Sequence, residues 1–305
     1  MDWFSIILTI LGLCLFETIS SIDNAVINAD VLATMSKRGR TWFLLWGLIF
    51  AVFIVRGLLP WVIVWVTMPA LGPIGALTAT FSSDPAVHAA IDAAAPILLM
   101  GGGVFLVFLF FHWLFLETKN YGLKTEKFFY TQGVWFFAVV SVLLSVLVWF
   151  SLKINAMIAF GAVVGSTAFF ITHGFKQNAE KGEQELMKGG MSDISKIMYL
   201  EVIDATFSID GVLGAFAFTL SVPIILIGNG LGAFVVRELT IKGVDKIRSY
   251  LYLKNGAMYS ILVLGSVMIA DAFGIHIPSW VSPIATFTIV GYFFWKSNRE
   301  LKKKK

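Results

Sequence analysis

The chain has 305 residues, 58% of them hydrophobic and only 14% charged, where soluble proteins carry about 25% charged residues. At a mean hydropathy of +0.83, a soluble fold could not hide this much apolar surface. That excludes an ordinary soluble enzyme, a disordered chain and a nucleic-acid-binding domain, and the net charge of +4 is read as membrane topology, not as a basic binding patch.

A bilayer core about 30 Å thick needs roughly 20 apolar residues in a helix. Nine stretches meet that need. Span one, Trp3–Thr34, is too long for one straight crossing and is interrupted by Glu17, Ser20, Ser21, Asp23 and Asn24, with Asn28 and Asp30 beyond them. No positive n-region precedes it, so it is expected to be retained, not cleaved as a signal. Span two, Thr41–Val66, carries Arg56. The Gly/Pro/Ala-rich stretch Pro69–Pro96 reads as an external loop or a re-entrant piece. Span three, Ala94–Leu116, contains Gly101 to Gly103, read as a close-packing seam. Spans four, Gln132–Ser151, and five, Ile154–Thr172, precede the charged stretch Lys176–Lys196, read as a cytosolic linker. Span six, Ile197–Leu220, carries Glu201, Asp204, Ser208 and Asp210; span seven, Pro223–Leu239, carries Asn229 and Arg237. Spans eight, Leu251–Phe273, and nine, Val281–Trp295, lead to a basic tail ending in Lys302 to Lys305.

Charge orients these spans. Nineteen of the 23 Lys and Arg residues fall after spans one, three, five and seven or in the tail, and only Lys153 falls on the opposite side. Cytosolic loops carry the excess of Lys and Arg, so the N-terminus is expected outside and the C-terminus in the cytosol.

Two segments repeat. Residues 17–30 read ETISSIDNAVINAD and residues 201–214 read EVIDATFSIDGVLG; aligning the S-I-D triplets sets Asp23 against Asp210 and Glu17 against Asp204. In the following span, residues 47–56 align on residues 228–237, both ending in F-[IV]-V-R. The copies, spans one to three and six to eight, are offset by an odd number of spans and so cross the membrane in opposite directions. Inverted repeats around ion sites on broken helices are a recurring transporter plan. The expected fold is thus all-α and polytopic. It is one transmembrane domain over 1–305, with a first repeat at 1–116, linking spans at 117–196, a second repeat at 197–273, and a last span and tail at 274–305.

Glu17, Asp23, Glu201, Asp204 and Asp210 lie within spans, where each ionised carboxylate costs a few kcal/mol unless it is paired, hydrated or metal-bound. Arg56 and Arg237 offset part of that charge, leaving a deficit for a divalent cation, for protons or for both. At 100° per residue Glu17, Ser21 and Asn24 share one helix face while Asp23 points away; Asp204, Ser208 and Gly211 repeat the pattern, with Asp210 turned away. Gathering all the acids around one cavity requires both helices to unwind, near residues 20–24 and 206–211, and Ser, Asp, Asn and Gly tolerate that. Oxygen donors suit hard ions such as Mn²⁺, Ca²⁺ or Mg²⁺. The metal ligands expected are Glu17, Asp23, Asn24, Glu201, Asp204 and Asp210, with Ser20, Ser21 and Ser208 as supporting polar groups and Arg56 and Arg237 balancing charge. No His or Cys falls in the motifs. His112 and His173 are expected at the interface, and the bland alternative for the acids is helix–helix glue built on the two arginines.

The S-I-D-N and S-I-D-G segments, each followed by a span ending in F-[IV]-V-R, resemble the TerC family of integral membrane proteins, placed with LysE-type transporters. The resemblance covers most of spans one to three and six to eight. It implies metal-ion efflux, mainly of manganese, with calcium for some members, and an inner-membrane location. The chain departs from the commoner pattern at Gly211 and in the extra acid Glu201. The expected activity is export of Mn²⁺ or Ca²⁺ from the cytosol, by proton exchange. The expected partners are that cation and the lipid bilayer, with no prosthetic group, no nucleic acid and no enzymatic activity. Two alternatives stand beside it: a membrane scaffold in a metal or tellurite stress-response complex, and an intramembrane di-aspartate enzyme.

Overall fold

The computed structural model describes residues 3–47, 50, 56–82, 84–187, 192–242, 247 and 249–304. Among them there are helices and turns but no strand. The α-helices are α1 (Trp3–Ser20), α2 (Ile22–Ala33), α3 (Lys37–Trp42), α4 (Leu59–Thr67), α5 (Gly72–Thr78), α6 (Pro85–Leu116), α7 (Lys124–Thr131), α8 (Phe136–Leu152), α9 (Ala156–Met187), α10 (Asp193–Ala215), α11 (Val222–Lys242), α12 (Leu253–Ala272) and α13 (Val281–Lys304).

Among the described residues six helical stretches are long and apolar enough to cross a membrane: residues 3–20, 85–116, 133–152, 156–177, 222–241 and 253–272. A seventh crossing arises if the pair Arg56–Thr67 and Pro69–Thr78, bent by 102°, is one broken span. The chain is therefore a helical, membrane-embedded protein. The residues expected to form spans six and nine are helical, as α10 and α13, but neither helix is among the six. α10 carries four acids, Asp193, Glu201, Asp204 and Asp210, and α13 runs into the basic tail, so neither matches the six in apolarity.

α6 is the central helix. Asp84 caps it by accepting from the Ala86 amide at 2.9 Å, and Pro85 occupies its first turn, where a missing N–H costs nothing. It consequently begins well before the expected Ala94. Apolar on every side, it is enclosed by α9 and α12. Gly101 lies against Gly161 and Gly165 of α9, and a Cβ on Gly165 would overlap the Gly101 carbonyl. On the other flank Gly103 faces Gly265 of α12. The expected seam at 101–103 is thus a contact line to two helices, of the small-residue kind that lets backbones approach in lipid. Trp113, Phe105, Phe108, Phe136 and Phe169 fill the space around it.

Three sequence expectations are corrected. The stretch 176–196 is not simply a linker: α9 continues to Met187, through a run rich in the helix formers Ala, Glu, Gln and Lys. Span six is not broken at 206–211, because α10 is helical through Asp210 and the chain turns only at Phe216–Phe218. Gly211 serves close packing, as shown below, and not unwinding. Span one is interrupted only at Ser21, with bonds from the Ser21 amide to the Glu17 carbonyl (3.1 Å) and from the Ala25 amide to the Ser21 carbonyl (2.9 Å) carrying the helix across. Among the described residues of span two, the departures from α geometry are π-type turns at Phe43–Gly47 and at residues 56–58.

Candidate functional site

The faces expected from helix spacing meet each other. Glu17, Ser21 and Asn24 of the α1–α2 strip pack against Asp204 and Gly211 of α10. Glu17 is 1% exposed and Arg56 3% exposed. Glu17 Oε1 accepts from Arg56 Nε at 2.7 Å and from the Ser21 hydroxyl at 2.8 Å, and Arg56 Nη2 lies 2.6 Å from the same oxygen. The guanidinium also reaches the second repeat segment, with Nη1 3.4 Å from Asp204 Oδ2. The Asn24 amide donates to Asp204 Oδ1. One arginine therefore bridges two buried carboxylates on facing helices, the planar, multi-donor arrangement for which guanidinium is suited.

This cluster keeps unspent acceptors. Glu17 Oε2, Glu201 Oε1, Asn24 Oδ1 and Asn28 Oδ1 are buried without a hydrogen-bond partner. Glycines make room for the acids: a Cβ on Gly211 would stand 2.6 Å from Glu17 Oε2, and one on Gly232 of α11 would stand 2.6 Å from Glu17 Cβ. A cavity of about 50 Å³ adjoins the cluster, lined by Asn28, Gly47, Arg56, Glu201, Asp204 and Arg237 among others. That is room for a few water-sized groups.

The other expected residues fall as follows. Glu201 and Arg237 line the cavity; Arg237 lies 3.9 Å from Glu238, and its Nε is buried without a partner. Ser20 donates to the Glu17 carbonyl at 3.3 Å, and Ser208 is buried with its hydroxyl unpartnered. Asp23 belongs to α2, and its side chain lies outside the described residues. Asp210, turned away from the Asp204 face as its spacing dictates, is not in the Arg56 cluster; it forms an ion pair with Lys176 of α9. Among the described residues no three His, Cys, Asp or Glu side chains converge closely enough to hold a metal ion.

Lys176 is the residue that sequence reasoning missed, since it was counted as a loop cation. The one available signal is that no proline separates it from the apolar run of span five. His112 is buried, and its ring meets that of His173 with centroids 3.9 Å apart and planes tilted by 54°. His112 Nδ1 lies 3.4 Å from Glu117, which pairs with Lys254 at 2.8 Å. Outside the spans, burial acts to raise the Glu117 carboxyl, but His112 and the Lys254 ammonium hold it well below the usual carboxylate range. Burial, aided by Lys254, pushes the Lys119 amine down from 10.5 to about 8 against the opposing pull of Glu117 and Glu126.

No curated protein and no solved structure matches the chain. Residues 22–304 match a family model described as a protein of unknown function, DUF475, and the chain belongs to that family.

Proposed function

We propose that this DUF475 protein exports a hard divalent cation, Mn²⁺ or Ca²⁺, across the inner membrane, in the manner implied by its resemblance to the TerC family. The observation that carries the reading is the pair Glu17 and Asp204, buried on facing helices, sharing one arginine and bordered by carboxylate oxygens without protein partners. Such oxygens are costly in an apolar surround unless a cation or water visits them. Hydrated Mn²⁺ would enter beside Glu201 from the cytosolic end, displace the guanidinium from Asp204 and take its oxygens from Asp204, Glu17, Asn24 and Glu201. Arg56 and Arg237 lower the cost of the ion-free form. Protonation of one carboxylate would weaken the ion's hold and couple release to proton entry.

Two contacts support nine spans with an inverted repeat. In the sequence alignment Asn24 corresponds to Gly211 and Glu17 to Asp204. The Asn24–Asp204 contact is therefore the counterpart of the Gly211–Glu17 contact, and a two-fold axis in the membrane plane would exchange them. In this topology the N-terminus is outside and the C-terminus is cytosolic. Asp23 and Asp210, the triplet acids, belong to the path on either side of the Glu17–Asp204 pair.

The test is binding of Mn²⁺, Ca²⁺, Mg²⁺ and Zn²⁺ to the purified full chain, with Asp204→Asn and Asp210→Asn beside it. Mn²⁺ or Ca²⁺ should bind the wild type, and at least about tenfold more weakly to Asp204→Asn, as expected when a charged ligand becomes neutral. A wild type that binds none of the four ions sinks the reading. The Arg56 bridge favours one rival, in which the acids only glue helices together. That rival predicts a less stable Asp204→Asn protein and no ion binding by either form.

A further inference from the structure

We propose that Lys176 is a tethered cation that occupies Asp210 in place of the transported ion, so that α9, a helix outside both repeat segments, sets the affinity of the site. This rests on the transport reading above.

Arg56 and Lys176, each on a buried carboxylate, differ in kind. Arg56 is a planar fork engaged with two carboxylates at once, and leaving would strand both. Lys176 is a point charge on a flexible stem, so its ammonium can withdraw while its backbone stays in place. The side chains of Lys176 and Asp210 are only 13% and 12% exposed, so neither charge is adequately served by bulk water. The ammonium binds Asp210 Oδ2, whereas Oδ1 is buried with no partner. Half of this carboxylate therefore remains open to a second donor or an ion.

The surroundings fix the backbone of this part of α9. α9 is locked to α6 by the Gly101–Gly161–Gly165 contact. One turn before Lys176, His173 packs against His112 of α6 and lies 2.9 Å from Gln177. His112 in turn meets Glu117, which pairs with Lys254 of α12. Asp210 immediately precedes Gly211, the point at which α10 touches Glu17. Six residues beyond Asp204 on α10 and turned toward α9, Asp210 is a second carboxylate on the proposed path, and Lys176 is already on it. A cation that accepts Asp210 must displace the ammonium and then sit close to it. Like-charge proximity of that kind weakens binding and favours release.

The experiment measures Mn²⁺ affinity of the purified full chain at fixed pH and salt for wild type, Lys176→Gln, Lys176→Met and Lys176→Arg. At an effective dielectric of about 20, removing a unit charge a few ångströms from the ion should tighten binding about tenfold or more in the Gln and Met variants. Lys176→Arg should stay within about threefold of wild type, because the charge remains. Unchanged or weaker binding by folded Gln and Met variants overturns the inference and leaves the transport reading intact. If the wild type binds no Mn²⁺ but Lys176→Gln does, the tether blocks the site and the inference holds; if neither binds, both proposals fall. Should the variants not fold, the wild type decides: saturating Mn²⁺ should increase acylation of the Lys176 amine, read by peptide mass spectrometry. Acylation unaffected by Mn²⁺ overturns the proposal.

Discussion

Two segments of the chain end in the same pattern, F-[IV]-V-R, yet their arginines lead different lives. Arg56, in a π-type turn of span two, is 3% exposed and bridges Glu17 and Asp204. Arg237, on the regular helix α11, is 26% exposed at its side chain and lies 3.9 Å from its neighbour Glu238. Both line the same cavity. A local motif can thus recur faithfully while burial, which decides what a charge is worth, does not. Arg56 neutralises two carboxylates that are largely buried, whereas the Arg237 side chain is partly exposed, where solvent screens part of its charge.

The largest expected consequence is at Arg56. Arg56→Gln leaves two buried carboxylates without their cation and should lower stability by ~3–5 kcal/mol, read as thermal unfolding in detergent. Arg237→Gln, tested beside it, should cost no more than ~1 kcal/mol; equal losses would erase the distinction between the two segments. Next in size is Asn24→Ala, which removes an amide bond to the charged Asp204 and should cost ~1.5–3 kcal/mol. Gly211→Ala presses a methyl group on Glu17 and should cost ~1–3 kcal/mol through overpacking. If Gly211→Ala is neutral while Asn24→Ala is not, the two contacts are not equivalents and the two-fold relation fails. The smallest effect is at Lys119, outside the cluster. Its folded value near 8 lies below the ordinary 10.5, so between these pH values the unfolded chain binds more protons and stability rises with pH. Acylation of Lys119 should accordingly show a midpoint near pH 8, and a midpoint in the ordinary lysine range would refute the burial argument.

Much of the cluster was legible from spacing. Glu17, Ser21 and Asn24 on one face and Asp204, Ser208 and Gly211 on another follow from 100° per residue, and these faces do meet. The same arithmetic turns Asp210 away, and in the structure Asp210 pairs elsewhere. The expectation that both helices unwind came from requiring every acid in one pocket. A separate cation on α9 removes that requirement, so α10 stays helical. Lys176 could not be read as the partner of Asp210, because a lysine near a helix end looks the same whether its stem turns to solvent or inward. The His112–His173 contact was hidden for a similar reason: it joins α6 to α9, and no local periodicity records such a pairing.

Composition and apolar run length alone determined that the chain lives in a membrane as helices, because a bilayer admits no other way to satisfy the backbone of such sequences. Periodicity determined which polar residues share a face. Only the tertiary structure decided which carboxylate takes which cation, since burial and the distance between side chains far apart in sequence are properties of packing. Glycines at 101, 161 and 165 bring α9 within reach of α6, and that approach is what carries Lys176 to Asp210.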